Sequence, residues 1–216
     1  NVIVEADNEE IPIMDGSSKD FVEVLNDIGF KTLNKKRKYL KVLNKVELED
    51  NGRTISIEPG DKDLEVNFQL NYSNDIIGKQ KNSVNFSNKN LVDIYSSRTF
   101  CLFQDIEKIK KSGLAKGGSL ENAIVVDDNK IINKDGLRND NEFVNHKILD
   151  LTGDFLLSGF RILGKVNCYQ GGHQLSNMFL RKLLKSKNSF VEIELNNFKL
   201  LNKSDLDQLA KIAVNA

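Results

Sequence analysis

The sequence predicts an α+β protein, and three observations carry that expectation. Runs with a two-residue period and runs with a helical period are mixed along the 216 residues without a strict βαβ rhythm. Asn51-Gly52 lies between two alternating runs, the strongest short hairpin signal a sequence can carry. A helical segment at roughly 140–158 is apolar in most directions, as a buried helix is.

Taken in order, "NVIVEA" alternates as a strand does, and "EIPIMDGSS" is a loop punctuated by Pro12 and Gly16. Ser17 or Ser18 then caps a helix, "KDFVEVLNDIG", whose Phe21, Val22, Val24, Leu25 and Ile28 should face inward, with Gly29 as its stop. After a basic linker at 31–38, "YLKVLNKVELED" and "RTISIEP" are strands, and "DLEVNFQLNY" is another. "SNKNLVDIYSS" is expected as a helix capped by Ser87, "RTFCLF" as a short strand and "QDIEKIKKSG" as a helix ending at Gly113. A Gly-rich loop leads into a hairpin at "AIVVDDNKIIN". The long helix ends at Gly159, "FRILGKVNCYQ" is a strand, "GHQLSNMFLRKLLKS" a helix, "FVEIEL" a strand and "SDLDQLAKIAV" a terminal helix.

Composition narrows the function classes. Lys plus Arg and Asp plus Glu are 31 each, so no global basic excess points to nucleic acid. The run "KKRKYLKVLNK" at 35–45 reads as the solvated edge of a strand built on Tyr39, Leu40, Val42 and Leu43; an RNA or anionic-lipid patch is the other reading. Cys101 and Cys168 form no CxxC pair, as in a reducing cytoplasm. No apolar run approaches about 18 residues, so no transmembrane segment is expected, and no secretory signal is read. A chain that opens in mid-strand without Met is expected to continue upstream of Asn1. Monomer is the default expectation.

The chemistry concentrates in "EFVNHKILDLTGD". His146, Asp150 and Asp154 are four apart and share one helix face, among apolar neighbours. Buried carboxylates call for a partner, a cation or a cavity. Imidazole and carboxylate are ordinary zinc ligands, although the same spacing also suits a surface ion pair. The second histidine, His173, sits at a strand-to-helix turn freed by Gly171 and Gly172, where a loop or capping role is the ordinary alternative. In "SSRTF", Thr99 offers a hydroxyl beside an aromatic; read alone it is a strand residue.

Together, "EIPIMDGSS", "SSRTF", "DIEKIKKSGLAKGGSLENAIVVDD", "NKDGLRNDNEFVNHKILDLTGD" and "GGHQLSN" resemble one family in motif and order, to about residue 195. It is the UDP-3-O-acyl-N-acetylglucosamine deacetylases, which commit precursors to lipid A in Gram-negative bacteria. The resemblance implies zinc held by His146 and Asp150. It makes His173 the charged catalytic histidine, oriented by Asp154, and Thr99 a donor to the oxyanion beside Phe100. It gives Lys147 to the UDP portion of the substrate, includes Gly172 in the substrate site, and builds an acyl-chain passage from Ile106, Ala115, Gly118, Ser119 and Ala123.

The implied fold is a two-domain sandwich. Each domain packs a β-sheet on helices, and the helices meet between the sheets with zinc at the interface. Residues 1–34 would be the remnant of the first domain. Residues 35–200 would form the second, with a hydrophobic-passage insert near 105–133, and 201–216 a tail helix. The sequence departs from the family pattern in three places. The family's third zinc ligand and its general base, a histidine and the preceding glutamate, have no counterpart, because no histidine precedes His146. Gln170 stands where a lysine is frequent, and "LNYSND" at 70–75 lacks the usual aromatic, histidine and proline. A non-catalytic relative that binds UDP-sugar or acyl chain is therefore the alternative to the zinc deacetylase.

Overall fold

A computed structural model describes residues 2–7, 10–60, 63–88, 90–113 and 115–195. It is α+β, as expected. A seven-stranded mixed sheet comprises β1 (Arg37–Val42), β2 (Val46–Asp50), β3 (Arg53–Glu58), β4 (Leu64–Asn71), β5 (Lys79–Asn85), β9 (Arg161–Tyr169) and β10 (Phe190–Leu195). The nine-residue β9 is its spine. The start of β9 pairs in parallel with β1, and the remainder runs between antiparallel β3 and parallel β4. Its apolar residues Ile162, Leu163, Val166 and Cys168 are buried, as a central strand requires.

Two long helices, α4 (Glu142–Leu156) and α5 (His173–Lys185), pack on each other and on this sheet, α4 over β4 and β5 and α5 over β2 and β3. Phe143, Val144, Ile148, Leu151, Phe155, Leu175, Phe179 and Leu183 fill the core between them. A small second sheet, β6 (Phe100–Leu102), β7 (Ile124–Asp127) and β8 (Lys130–Ile131), encloses a crossover containing a 3-10 turn and α3 (Ile106–Lys111).

Several expectations are corrected. "VIVEA" forms no strand: Val2, Ile3 and Val4 are exposed, and no described strand offers them backbone partners. The run 39–50 is two strands, because Leu43 leaves the sheet to donate its N–H to the Ser189 carbonyl. β1 lies between β9 and β10, with Tyr39, Leu40 and Val42 buried and Arg37 and Lys38 exposed. The helix expected from Ser87 is only α2 (Val92–Tyr95); the Ser87 hydroxyl donates to Asn85, and Asn90 accepts the Val92 N–H. Strand β5 was not expected, since among its residues only Val84 is buried. Helix α1 (Lys19–Ile28) forms and stops at Gly29, whose φ is +82°. Its apolar residues do not face inward, however; none is buried, and no described element lies across them. Ser18 stands at its N-cap, but the hydroxyl donates to the Tyr95 carbonyl instead of capping. Leu156 at the end of α4 and Leu157 just beyond it are exposed, so the helix is covered on fewer sides than its composition suggests. The expected helix at 204–214 and the tail 201–216 lie outside the described residues.

Candidate active site

Helix α4 sets one half of the site. Its start is fastened at several points: Asn145 accepts from Asn82 and donates to Asn139, and the Val144 N–H donates to Gln80. One turn in, His146 is buried, and its Nδ1 lies 3.0 Å from the Ser97 carbonyl. A carbonyl can only accept, so Nδ1 carries the proton. Nε2 faces Asp150 Oδ1 at 3.2 Å. Two ligands bound to one zinc at about 2.0–2.1 Å in tetrahedral arrangement are themselves separated by about 3.3 Å. The pair thus has the spacing of two ligands of one metal. Among the described residues, no third histidine, cysteine or carboxylate completes a three-ligand group.

Asp150 is charged in spite of its surroundings. Burial works against ionisation, but the neighbouring His146 and the ammonium of Lys147 outweigh it and hold the carboxyl well below the usual carboxylate range. Lys147 Nζ lies 2.9 Å from Asp150 Oδ2 and 5.4 Å from the centre of the Phe100 ring. Phe100 in turn meets Phe143 and Tyr72 edge to face.

The junction between β9 and α5 sets the other half. Gln170 turns with φ +55°, Gly172 is extended, and His173 opens the helix. His173 Nδ1 lies 3.0 Å and 3.1 Å from the two oxygens of Asp154. This hydrogen bond lifts the imidazole above the ordinary histidine value; partial burial opposes it, and the charge of Asp150 adds to it. Nε2 lies 4.0 Å from Asp150 Oδ2, while the side chain is 70% exposed. Both histidines therefore border Asp150, with the free edge of His173 open to solvent.

Thr99 is held by its backbone, donating to the Gly16 carbonyl and accepting from the Ile124 N–H, and makes no hydrogen bond to the two histidines or their aspartates. The residues expected to line an acyl passage sit on the β6–β7 crossover. Ile106 opens α3 half-buried, whereas Ala115, Gly118 and Ser119 are exposed in a loop closed by Gly118 N–H to Ala115 and Ala123 N–H to Ser119.

Sequence reasoning missed a buried ionic cluster behind His146. Arg98 is 4% exposed and Glu142 fully buried, and their charged groups meet at 2.9 Å. Arg138 joins them, donating its N–H to Glu142 and its guanidinium to Asp15 and Ser96. Charged residues far apart in sequence read as surface, and nothing in their spacing marks them as partners. Two of the departures from the family pattern also meet: the Gln170 side chain accepts from the Asn71 N–H and donates to the Asn71 carbonyl, extending the β4–β9 ladder by one rung.

Comparison with known proteins finds a family model, described as UDP-3-O-acyl N-acetylglycosamine deacetylase, that matches residues 1–185. A protein of Campylobacter lari named UDP-3-O-acyl-N-acetylglucosamine deacetylase is 38% identical over 94% of this chain and 70% of its own length. Proteins of the same name from Nautilia profundicola and Helicobacter pylori are 40% and 39% identical over 85% of this chain, and 63% and 62% of their own lengths. The chain thus spans about two thirds of the relatives it matches.

Proposed function

The chain belongs to the UDP-3-O-acyl N-acetylglycosamine deacetylase family, and we propose that it supplies the larger part of a zinc-dependent hydrolase acting in the cytoplasm. The reaction is removal of the acetyl group from UDP-3-O-acyl-N-acetylglucosamine, the committed step of lipid A biosynthesis in Gram-negative bacteria. The observation that carries this reading is the juxtaposition of His146–Asp150 with His173–Asp154.

In this reading His146 and Asp150 would hold the metal. When bound, zinc would polarise the acetamide carbonyl and lower the pKa of its water. His173, kept protonated by Asp154, presents Nε2 to the substrate, steadies the oxyanion and passes a proton to the departing glucosamine nitrogen. Thr99 donates a second hydrogen bond to that oxyanion. Lys147 gives up Asp150 to reach the UDP portion, beside Phe100 and Gly172. The acyl chain runs along Ile106, Ala115, Gly118, Ser119 and Ala123. The third metal ligand and the base that takes the water's proton fall to the third of the relatives' length that this chain does not span.

The test is deacetylation of a UDP-3-O-acyl-N-acetylglucosamine with added zinc, by the 216-residue chain and by a version extended with its upstream coding sequence. Turnover by the extended protein alone is the expected result. Turnover by the short chain would place the base within these residues and overturn the assignment of roles. Substrate binding without turnover by either would favour the non-catalytic relative.

A further inference from the structure

The buried cluster behind His146 meets the metal site through one peptide group. The Ser97 carbonyl accepts from His146 Nδ1 at 3.0 Å, and the N–H of that same peptide, on Arg98, donates to Glu142 Oε1 at 3.0 Å. Glu142 and His146 are four apart on α4 and share one face. A single peptide plane is therefore gripped at both ends by side chains of one helix.

Both ends are built to hold. Glu142 Oε1 also accepts Arg98 Nε at 2.9 Å, while Oε2 accepts Arg98 Nη2 at 3.2 Å and the Arg138 N–H at 2.6 Å. Arg98 also donates from Nη2 to the Gly136 carbonyl at 2.7 Å and from Nη1 to Asp135 at 3.0 Å. The Ser97 side of the plane is fixed by its N–H to Ile94 and its hydroxyl to the Asp93 carbonyl. No buried side-chain polar atom among the described residues lacks a partner. Hydrogen bonds in series polarise one another: a carboxylate on the N–H end makes the carbonyl at the other end a stronger acceptor.

We propose that Glu142 is a positioning residue for the metal ligand His146, acting through the Ser97–Arg98 peptide. The carboxylate fixes and polarises that peptide, which holds the Nδ1–H tautomer and presents the Nε2 lone pair toward Asp150. A histidine ligand whose far N–H meets a carboxylate or carbonyl is oriented and made more basic by it; here the carboxylate stands one peptide further out. Arg98 neutralises Glu142, so that a charged acid can remain buried beside the site. The inference rests on the proposed metal role of His146.

The experiment uses the longest protein its gene encodes, in wild-type form, as Glu142→Gln, and as the paired apolar variant Arg98→Met/Glu142→Leu, which removes both charges together so that neither remains buried alone. Zinc affinity is measured by competition with a chromophoric chelator. Ring 15N shifts of His146 in the zinc-free protein report its tautomer. The expected result is a roughly 10- to 100-fold loss of zinc affinity in each folded variant, with His146 moving from the Nδ1–H form to a mixture of tautomers. Wild-type affinity and an unchanged tautomer in either folded variant would overturn the proposal. If no form of the protein, wild type included, binds zinc, the metal reading of the site fails, and the tautomer comparison alone decides whether Glu142 positions the ring.

Discussion

His173 is exposed over most of its side chain, yet both oxygens of Asp154 hold its Nδ1. Such an arrangement fixes a ring without hiding its working edge. On the proposed mechanism, replacing His173 by Ala should leave folding and any bound zinc unchanged and lower kcat by about 10²- to 10⁴-fold, the usual worth of a positioned acid. Metal analysis and turnover of the extended protein check this, and full activity would remove His173 from the mechanism. Asp15 supplies a pH dependence of a different kind. Burial tends to raise its value, but the hydroxyl and N–H of Ser17 and the guanidinium of Arg138 hold it below the ordinary 3.8. A carboxyl depressed in the folded state contributes stability above its unfolded value, and that contribution is lost as pH falls through the lower, folded one. Protection of the Ser17 amide against hydrogen exchange should therefore drop below about pH 3.8 and become insensitive to pH in Asp15→Asn. A wild-type dependence that survives in Asp15→Asn would assign the titration to another group.

At the scale of elements, the turn from β9 into α5 decides where His173 stands, and its two glycines are not equivalent. A Cβ on Gly171 would lie 2.4 Å from Cys168 Sγ and 3.0 Å from the Phe68 ring, whereas a Cβ on Gly172 would meet nothing within 4 Å. Gly171→Ala should cost about 1–3 kcal/mol, as overpacking of a close-packed site does, while Gly172→Ala should stay within about 0.5 kcal/mol of wild type. Denaturant midpoints of the two variants decide it, and equal stabilities would contradict the packing. Such junctions also show what a sequence exposes and what it hides. The hairpin at Asn51-Gly52 was legible because both residues take the left-handed backbone, with φ +51° and +75°, that few other pairs accept. His146 and Asp150 were legible because a helix fixes the i, i+4 relation. Strand β5 was not, since "KQKNSVN" is stabilised by its pairing with β4 and buries only Val84. Nor was the Arg98–Glu142 contact, which joins residues 44 apart through tertiary packing alone. The His173–Asp154 partnership, 19 residues apart, could be expected only through the family resemblance.

Over the whole molecule, apolar surface is distributed unevenly. The described core closes around α4, α5 and the large sheet, but Phe21, Val24 and Ile28 on α1 and Phe30 just beyond it stand 40%, 56%, 78% and 81% exposed. Helix α1 is joined to the rest near its start, through Ser18 at the Tyr95 carbonyl and the 15–17 loop at Arg138 and Thr99. An uncovered apolar stripe of this kind lowers its free energy by leaving water, and in a solution of the 216-residue chain alone another copy can cover it. Because no α1 residue is buried, the stripe can be made polar at little cost to the fold. Phe21→Ser with Ile28→Ser should therefore reduce self-association and dye binding of this chain while keeping its unfolding free energy within about 0.5 kcal/mol per substitution. Sedimentation velocity over a range of concentrations, paired with denaturant unfolding, separates the outcomes. Unchanged association would show that the stripe is covered within the chain itself, and a large loss of stability would show that α1 packs into the core.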